Sequence, residues 1–273
     1  MADQLEVDDA NAVALTEGTV AVSVRNEIGT ITLSRPDALN AFNAAQRVSL
    51  YNAINVLQDD ENVGVIIITG AGRGFSAGAD LREQGGSDKK PSERLLEEYA
   101  PFLTAIAECP KPVIGAINGI AAGIGGALAL ACDIVVMARS SAIYLAFSAI
   151  GLVPDGGMTW HLQRQLGHRR AFEIMALGQR IEAPNCLELG LANRVVDDEA
   201  VLPSAEELAI KLLERAPLSL QYTKEALKAA AASTLQKAIA TEAQLQDKAA
   251  ASADHREGRQ AFLEKRKPVW KGC

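Results

Sequence analysis

The sequence predicts an α/β fold, a parallel or mixed sheet wrapped by helices and followed by a helical C-terminal stretch, on three observations. Val63–Thr69, Val113–Ile117 and the run IVVMA that follows Asp133 are apolar throughout, as expected of strands covered on both faces of a sheet. Helical spacing fills the intervals between them, so strand, helix and strand alternate as in repeated crossovers. From Met158 onward the pattern turns almost wholly helical, with Arg194–Val196 as the one late strand.

Composition narrows the class. A hydrophobic share of 48% against 22% charged residues is that of a folded domain, and no apolar run reaches the roughly 20 residues of a membrane span. The acidic N-terminus lacks the basic-then-apolar layout of a secretory signal, so a cytoplasmic protein is expected. A net charge of −7 argues against a dedicated nucleic-acid or anionic-membrane binder. Cys109, Cys132, Cys186 and Cys273 lie far apart with no histidine at metal-ligand spacing, so they are expected to be reduced structural thiols and no metal site is expected.

In order, residues 1–17 form a loose acidic lead. Thr19–Leu33 alternates apolar and polar residues about Asn26-Glu27-Ile28-Gly29, a hairpin signature. Arg35-Pro36 stops the second strand, and Asn40 is placed to cap a helix running to about Asp59 with Leu50, Ala53, Ile54 and Leu57 on its apolar face. After strand Val63–Thr69 comes the loop GAGRGFSAGADL, a polar segment Gln84–Lys90, and a helix over about Ser92–Glu108. Strand Val113–Ile117 leads into the glycine-rich stretch Asn118–Asp133, NGIAAGIGGALALACD, which supplies a turn and a small-residue helix. A short strand AIYLA and the loop GLVPDGG follow. Helices are expected at Ala171–Leu177, Pro184–Leu189, Ala205–Arg215, Leu218–Ala232 and Ala238–Lys265. The domain plan is therefore a lead over 1–17, a core over 18–198 and a helical lobe over 199–273.

Two glycine-rich loops end apolar strands, where open α/β folds place their ligands. Gly74-Phe75-Ser76-Ala77-Gly78 fits G-x-S-x-G, but Ser76 stands several residues beyond Thr69 rather than on a sharp strand-to-helix turn, so a serine hydrolase fits poorly. Gly123-Ile124-Gly125 opens a helix, yet Leu128 stands where a dinucleotide fingerprint needs its third glycine. Used together, the loops offer a third reading. Backbone N–H groups of Ala79 and Ile124 can converge on one carbonyl oxygen and stabilise an enolate, and one such donor is worth about 2.7–4 kcal/mol.

FSAGADL, NGIAAGIGGALALACDIVVMA, GLVPDGG and the terminal AFLEKRKPVW together resemble the crotonase (enoyl-CoA hydratase/isomerase) superfamily over nearly the whole chain. The resemblance implies a ββα-spiral core, a helical C-terminal lobe for trimerisation, and a homotrimer or dimer of trimers. It also implies a coenzyme A thioester substrate with no separate cofactor, and an oxyanion hole that falls on Ala79 and Ile124. Contacts to the adenosine and pantetheine arm fall on Ala38, Leu39, Ala77, Asp80, Leu81 and Arg82. Phe262 and Lys265 match a C-terminal pair that reaches coenzyme A, often in a neighbouring subunit.

The two glutamates that hold water in hydratases of this resemblance fall on Ala127 and Phe147, so both carboxylates are missing. Asp155, in GLVPDGG, matches the acidic residue of the isomerase branch, and one base suffices for a 1,3-proton shift. A turn or helix-cap role explains the same aspartate. Ile124, Phe147, Val153, Met158 and Trp160 are candidates for the acyl pocket, and His161 is expected on a helix surface. The leading expectation is an enoyl-CoA isomerase; the alternatives are an enoyl-CoA hydratase and a non-catalytic CoA-binding protein.

Overall fold

The computed structural model describes residues 13–17, 19–83 and 89–273. The described chain divides into two compact units, one ending at Cys109 and resuming over Val113–Ala209, the other comprising Pro110–Pro112 and Ile210–Cys273.

The first unit opens with β1 (Val13–Glu17), β2 (Val20–Arg25) and β3 (Ile28–Leu33), an antiparallel set. Strand β1 corrects the reading of residues 1–17 as a loose lead, the rest of which lies outside the described residues. Asn26 and Glu27 alone form the hairpin turn, both at positive φ (52° and 62°), the conformation of a two-residue turn whose twist matches that of its strands. Helix α1 (Ala44–Asp59) buries Leu50, Ala53, Ile54 and Leu57 as its spacing predicts. Its cap is Asn43, whose side chain accepts from Gln46 N, and not Asn40. Asn40 is left-handed and fully buried, with its amide committed elsewhere.

Then follow β4 (Val65–Gly70), β5 (Gly74–Ser76), and a single helical run made of α2 (Pro91–Arg94), a π turn over Leu95–Tyr99 and α3 (Ala100–Glu108). Next come β6 (Val113–Ile117), β7 (Ile120–Ala122), α4 (Ile124–Ala131), β8 (Ile134–Ala138) and β9 (Ala142–Tyr144). The unit continues with α5 (Met158–Ala176), β10 (Arg180–Glu182), α6 (Ala183–Glu188) and β11 (Arg194–Val196), and α7 (Val201–Leu213) starts in it. Helix α5 begins well before the predicted Ala171 because Gly167, at φ 73° and ψ 166°, kinks a longer helix and breaks its apolar period.

Seven strands form one sheet in the order β1-β2-β3-β4-β6-β8-β11, parallel from β3 onward. A second sheet runs β10-β9-β7-β5, with β9, β7 and β5 mutually parallel. Strands β5, β7 and β10 have three residues each, too few to leave a periodic signal in the sequence. Helix α4, built only of Ile, Gly, Ala and Leu, is buried at all eight positions.

The second unit holds α8 (Pro217–Ala230), α9 (Leu235–Ala251) and α10 (Ala253–Glu264). The single helix predicted over Ala238–Lys265 is two. Ser252 is extended at ψ 158°, ends α9, and accepts from His255 N at 2.9 Å to start α10. Buried Asp254 accepts from Lys271 N and Gly272 N at 2.7 and 3.0 Å, tying the final residues to α10. Among the described residues, no helix is long and apolar enough to cross a membrane.

Candidate active site

The register of β5 and β7 decides which loops become neighbours. Gly74 pairs with Ile120 and Ser76 with Ala121 in parallel, so the chain leaves both strands side by side at their carboxyl ends. The contact is tight: a Cβ on Gly78 would lie 2.7 Å from Ala122 O, and one on Gly125 would lie 2.6 Å from Ser76 O. Glycine is required at these two positions because backbone meets backbone.

The first loop is held from inside. Asn40 Nδ2 donates to Ala71 O (2.9 Å) and Gly74 O (2.8 Å), while its Oδ1 accepts from Arg35 N. Ser76 Oγ donates to Asn40 O at 2.9 Å and accepts from Gly78 N at 3.2 Å. Fully buried and doubly bonded, Ser76 is a structural hydroxyl. Ser76→Ala is expected to retain turnover and lose about 1–3 kcal/mol of stability by stranding its partners; abolished turnover at an unchanged melting temperature would make it a nucleophile after all.

Ala79 pairs with Phe42 in a single parallel bridge, in which Phe42 N donates to Gly78 O (2.7 Å) and Asp80 N donates to Phe42 O (3.1 Å). Ala79's own N–H therefore turns to the opposite side and has no partner among the described residues. Ala38 lies in a 3-10 turn, Leu39 follows in the left-handed region, and Leu39 O accepts from Ala77 N at 2.8 Å, which brings Ala38, Leu39 and Ala77 together. Asp80 is not free to meet a ligand with its carboxylate. Its Oδ2 accepts from Arg35 and its Oδ1 from Arg82 N, and the Arg35 hydrogen bond holds the carboxyl below its usual range. Leu81, at 85% exposure, and Arg82 are open residues of the group.

Ile124 begins α4. Gly123, at φ 50° and ψ −123°, donates to Tyr144 O and accepts from Gly126 N and Ala127 N, leaving Ile124 N–H as one of the orphan donors of a helix start. The loop carrying Asp155 lies over this first turn. A Cβ on Gly156 would stand 2.6 Å from Ile124 Cδ1 and 2.7 Å from Ala127 Cβ. Ala127 is fully buried, and the Phe147 ring reaches to 3.7 Å from a Cβ placed on Gly123. Apolar groups thus occupy both positions matched to hydratase glutamates.

Asp155 has a buried carboxylate oxygen, Oδ1, with no hydrogen-bond partner among the described residues. Burial raises its pKa, opposed only by its own backbone amide. Such an oxygen is costly to keep and suits a group that exchanges a proton. His161 is half-buried, not a plain surface residue; burial, then the nearby Arg164, lowers its pKa, and its ring sits edge-on to Trp160 at 4.9 Å. Of the acyl-pocket candidates Ile124, Phe147 and Met158 are buried, whereas Val153 and Trp160 are exposed. Phe262 (83% exposed) and Lys265, the left-handed end of α10, belong to the second unit. The sequence reading missed Arg35 and Asn40 as organisers of the first loop; the pairing of Arg35-Pro36 with an asparagine five residues on was the available signal.

The model of the enoyl-CoA hydratase/isomerase family matches residues 23–273, and the chain belongs to that family, within the crotonase superfamily. It is 40% identical over 253 residues to the 1,2-epoxyphenylacetyl-CoA isomerase of Escherichia coli (strain K12), covering 91% of this chain and 97% of the relative. It is 37% identical over 252 residues to the 2,3-dehydroadipyl-CoA hydratase of the same strain, covering 92% and 98%. The crystal structure of an enoyl-CoA hydratase from Bacillus anthracis superposes with a TM-score of 0.89 at 33% identity, covering 93% of this chain and all of that one.

Proposed function

We propose that the protein is an enoyl-CoA isomerase in which Asp155 carries the proton and the N–H groups of Ala79 and Ile124 bind the thioester oxygen. The observation that carries this reading is the orphan Oδ1 of Asp155, on a loop packed over Ile124 and Ala127, where no second carboxylate stands at the hydratase positions. The carboxylate takes a proton from C2 of a 3-enoyl thioester. The freed electron pair moves into the carbonyl, giving a dienolate whose oxygen accepts from the two N–H groups. Asp155, now protonated, returns the proton at C4, and the double bond ends between C2 and C3. A raised pKa favours this exchange, because the acid and its conjugate base are then both accessible nearer neutrality. Water addition normally needs a second group to activate the water.

The acyl group is an unsaturated chain or a ring-derived unit of the kind named for the E. coli isomerase relative. Coenzyme A arrives as part of the substrate, against the backbones of Ala38, Leu39 and Ala77 and the Asp80–Arg82 turn; the protein is a cytoplasmic trimer or dimer of trimers in which Phe262 and Lys265 contact coenzyme A bound to a neighbouring subunit. Asp80 contributes through its main chain, since Arg35 holds its carboxylate. The similarity to a named hydratase calls for an assay that separates the two reactions. Given a 3-enoyl-CoA, the protein is expected to form the 2-enoyl isomer; rapid conversion of a 2-enoyl-CoA to a 3-hydroxyacyl-CoA would make it a hydratase, and binding without turnover of either would make it a non-catalytic binder.

A further inference from the structure

Ala79 is fastened to the fold by one isolated bridge, two main-chain hydrogen bonds to Phe42. So short a pairing is a weak mount for a group that must aim its N–H to a fraction of an ångström. Two arginines reinforce it. One guanidinium nitrogen of Arg35 donates to Ala41 O, and the other donates to Asp80 Oδ2 at 2.8 Å. Arg47 donates to Phe42 O at 3.2 Å and to Glu83 Oε2 at 3.0 Å, and Glu83 Oε1 accepts from Ala44 N at 2.7 Å. Each arginine thus spans the bridge, with one hand on the main chain of residues 41–42 and the other on a carboxylate of the loop just after Ala79. The planar fork of a guanidinium can hold two acceptors at fixed spacing, which a lysine cannot.

We propose that Arg35 is a positioning residue that, through Ala41 O and Asp80, fixes the direction of the Ala79 N–H. The inference rests on the oxyanion-hole reading above. Arg47 has its side chain only 4% exposed and also bonds Glu98 and Tyr99, so it secures the buried end of the loop. Arg35 keeps 21% of its side chain exposed and sits next to the donor. Its role is in geometry more than in stability, because a partly exposed ion pair contributes little to folding.

Cinnamoyl-CoA tests this without turnover, since hydrogen bonds to its conjugated carbonyl shift its absorbance to the red on binding. The intact protein is expected to show the red shift. In Arg35→Gln the shift should largely vanish, kcat should fall roughly 10- to 100-fold through misplacement of the donor, and the dissociation constant for cinnamoyl-CoA should stay within a few-fold of its original value. Arg35→Lys should recover part of both signals. Asp80→Asn should resemble Arg35→Gln, and the double variant should be no worse than either single one, because the two act as a unit. If Arg35→Gln fails to fold, Arg35→Lys and Asp80→Asn carry the same comparison. A red shift that persists unchanged in the folded variants overturns the role of Arg35 alone. No red shift in the intact protein overturns the oxyanion-hole reading and this inference with it.

Discussion

Asp155→Asn is expected to lower isomerisation by about 10²–10⁴-fold while making the protein more stable at neutral pH. The loss follows from removing the proposed proton carrier, since a positioned general base alone contributes about 10²–10⁴-fold. The gain follows from the orphan Oδ1: a buried carboxylate oxygen without a donor is penalised by burial, and a neutral amide of the same shape is penalised less. The sign of the pH dependence is fixed. Burial raises the folded-state pKa of Asp155, so the native protein loses stability as pH rises from the ordinary carboxylate value of about 3.9 through that raised value. The melting-temperature advantage of the variant should therefore be largest at neutral pH and shrink as the solution is acidified. In the intact enzyme, kcat/KM should show an acidic limb above the ordinary carboxylate range. A variant that still isomerises would remove Asp155 from the chemistry, and one no more stable than the parent at pH 7 would show that burial of its Oδ1 carries no penalty.

Gly125→Ala should fail in a direction opposite to helix propensity. Within the first turn of α4, alanine would ordinarily stabilise by about 1 kcal/mol. Here the new methyl would stand 2.6 Å from Ser76 O, 2.8 Å from Ser76 Cβ and 3.0 Å from Ser76 Oγ, and the nearest of these is main chain that cannot swing aside. Net destabilisation of about 1–3 kcal/mol is expected from overpacking. Because the methyl wedges apart the two loops that carry Ala79 and Ile124, kcat should fall on the order of 10²-fold even where the variant is fully folded. Thermal melts and single-turnover rates on the same preparation check both; a stabilised variant at full rate would show that the loops need not touch.

Long apolar strands and their crossovers were legible because a buried parallel strand is a continuous run of Val and Ile, as in residues 65–68. Strands β5, β7 and β10 were not, yet β5 and β7 are the ones that set the two loops side by side. Their pairing is a tertiary choice that three residues cannot announce. Asn40 was misread for a related reason: an asparagine before an apolar run looks like a cap, and only the folded loop reveals that its amide bridges Ala71, Gly74 and Arg35. Ala79, Ile124 and Asp155 could be picked out only by joint resemblance of several motifs, because a backbone donor has no side-chain signature. The environment of Asp155 was beyond the sequence, since its pKa is raised by burial, and the loop that carries it packs through Gly156 onto Ile124 and Ala127 of α4.

Main-chain mounting of both proposed donors has a consequence for how such a protein can change. Neither N–H belongs to a side chain, so of the ordinary substitutions at 79 or 124 only proline deletes it, and the proposed hole depends on Gly78, Gly123 and Gly125 keeping the chain in place. The acid is the reverse case: one codon decides whether residue 155 can carry a proton. On the proposed mechanism, enolate stabilisation is therefore the half of the site that side-chain substitution touches least, and the reaction performed on that enolate is the half that single substitutions around Ala127, Phe147 and Asp155 can alter.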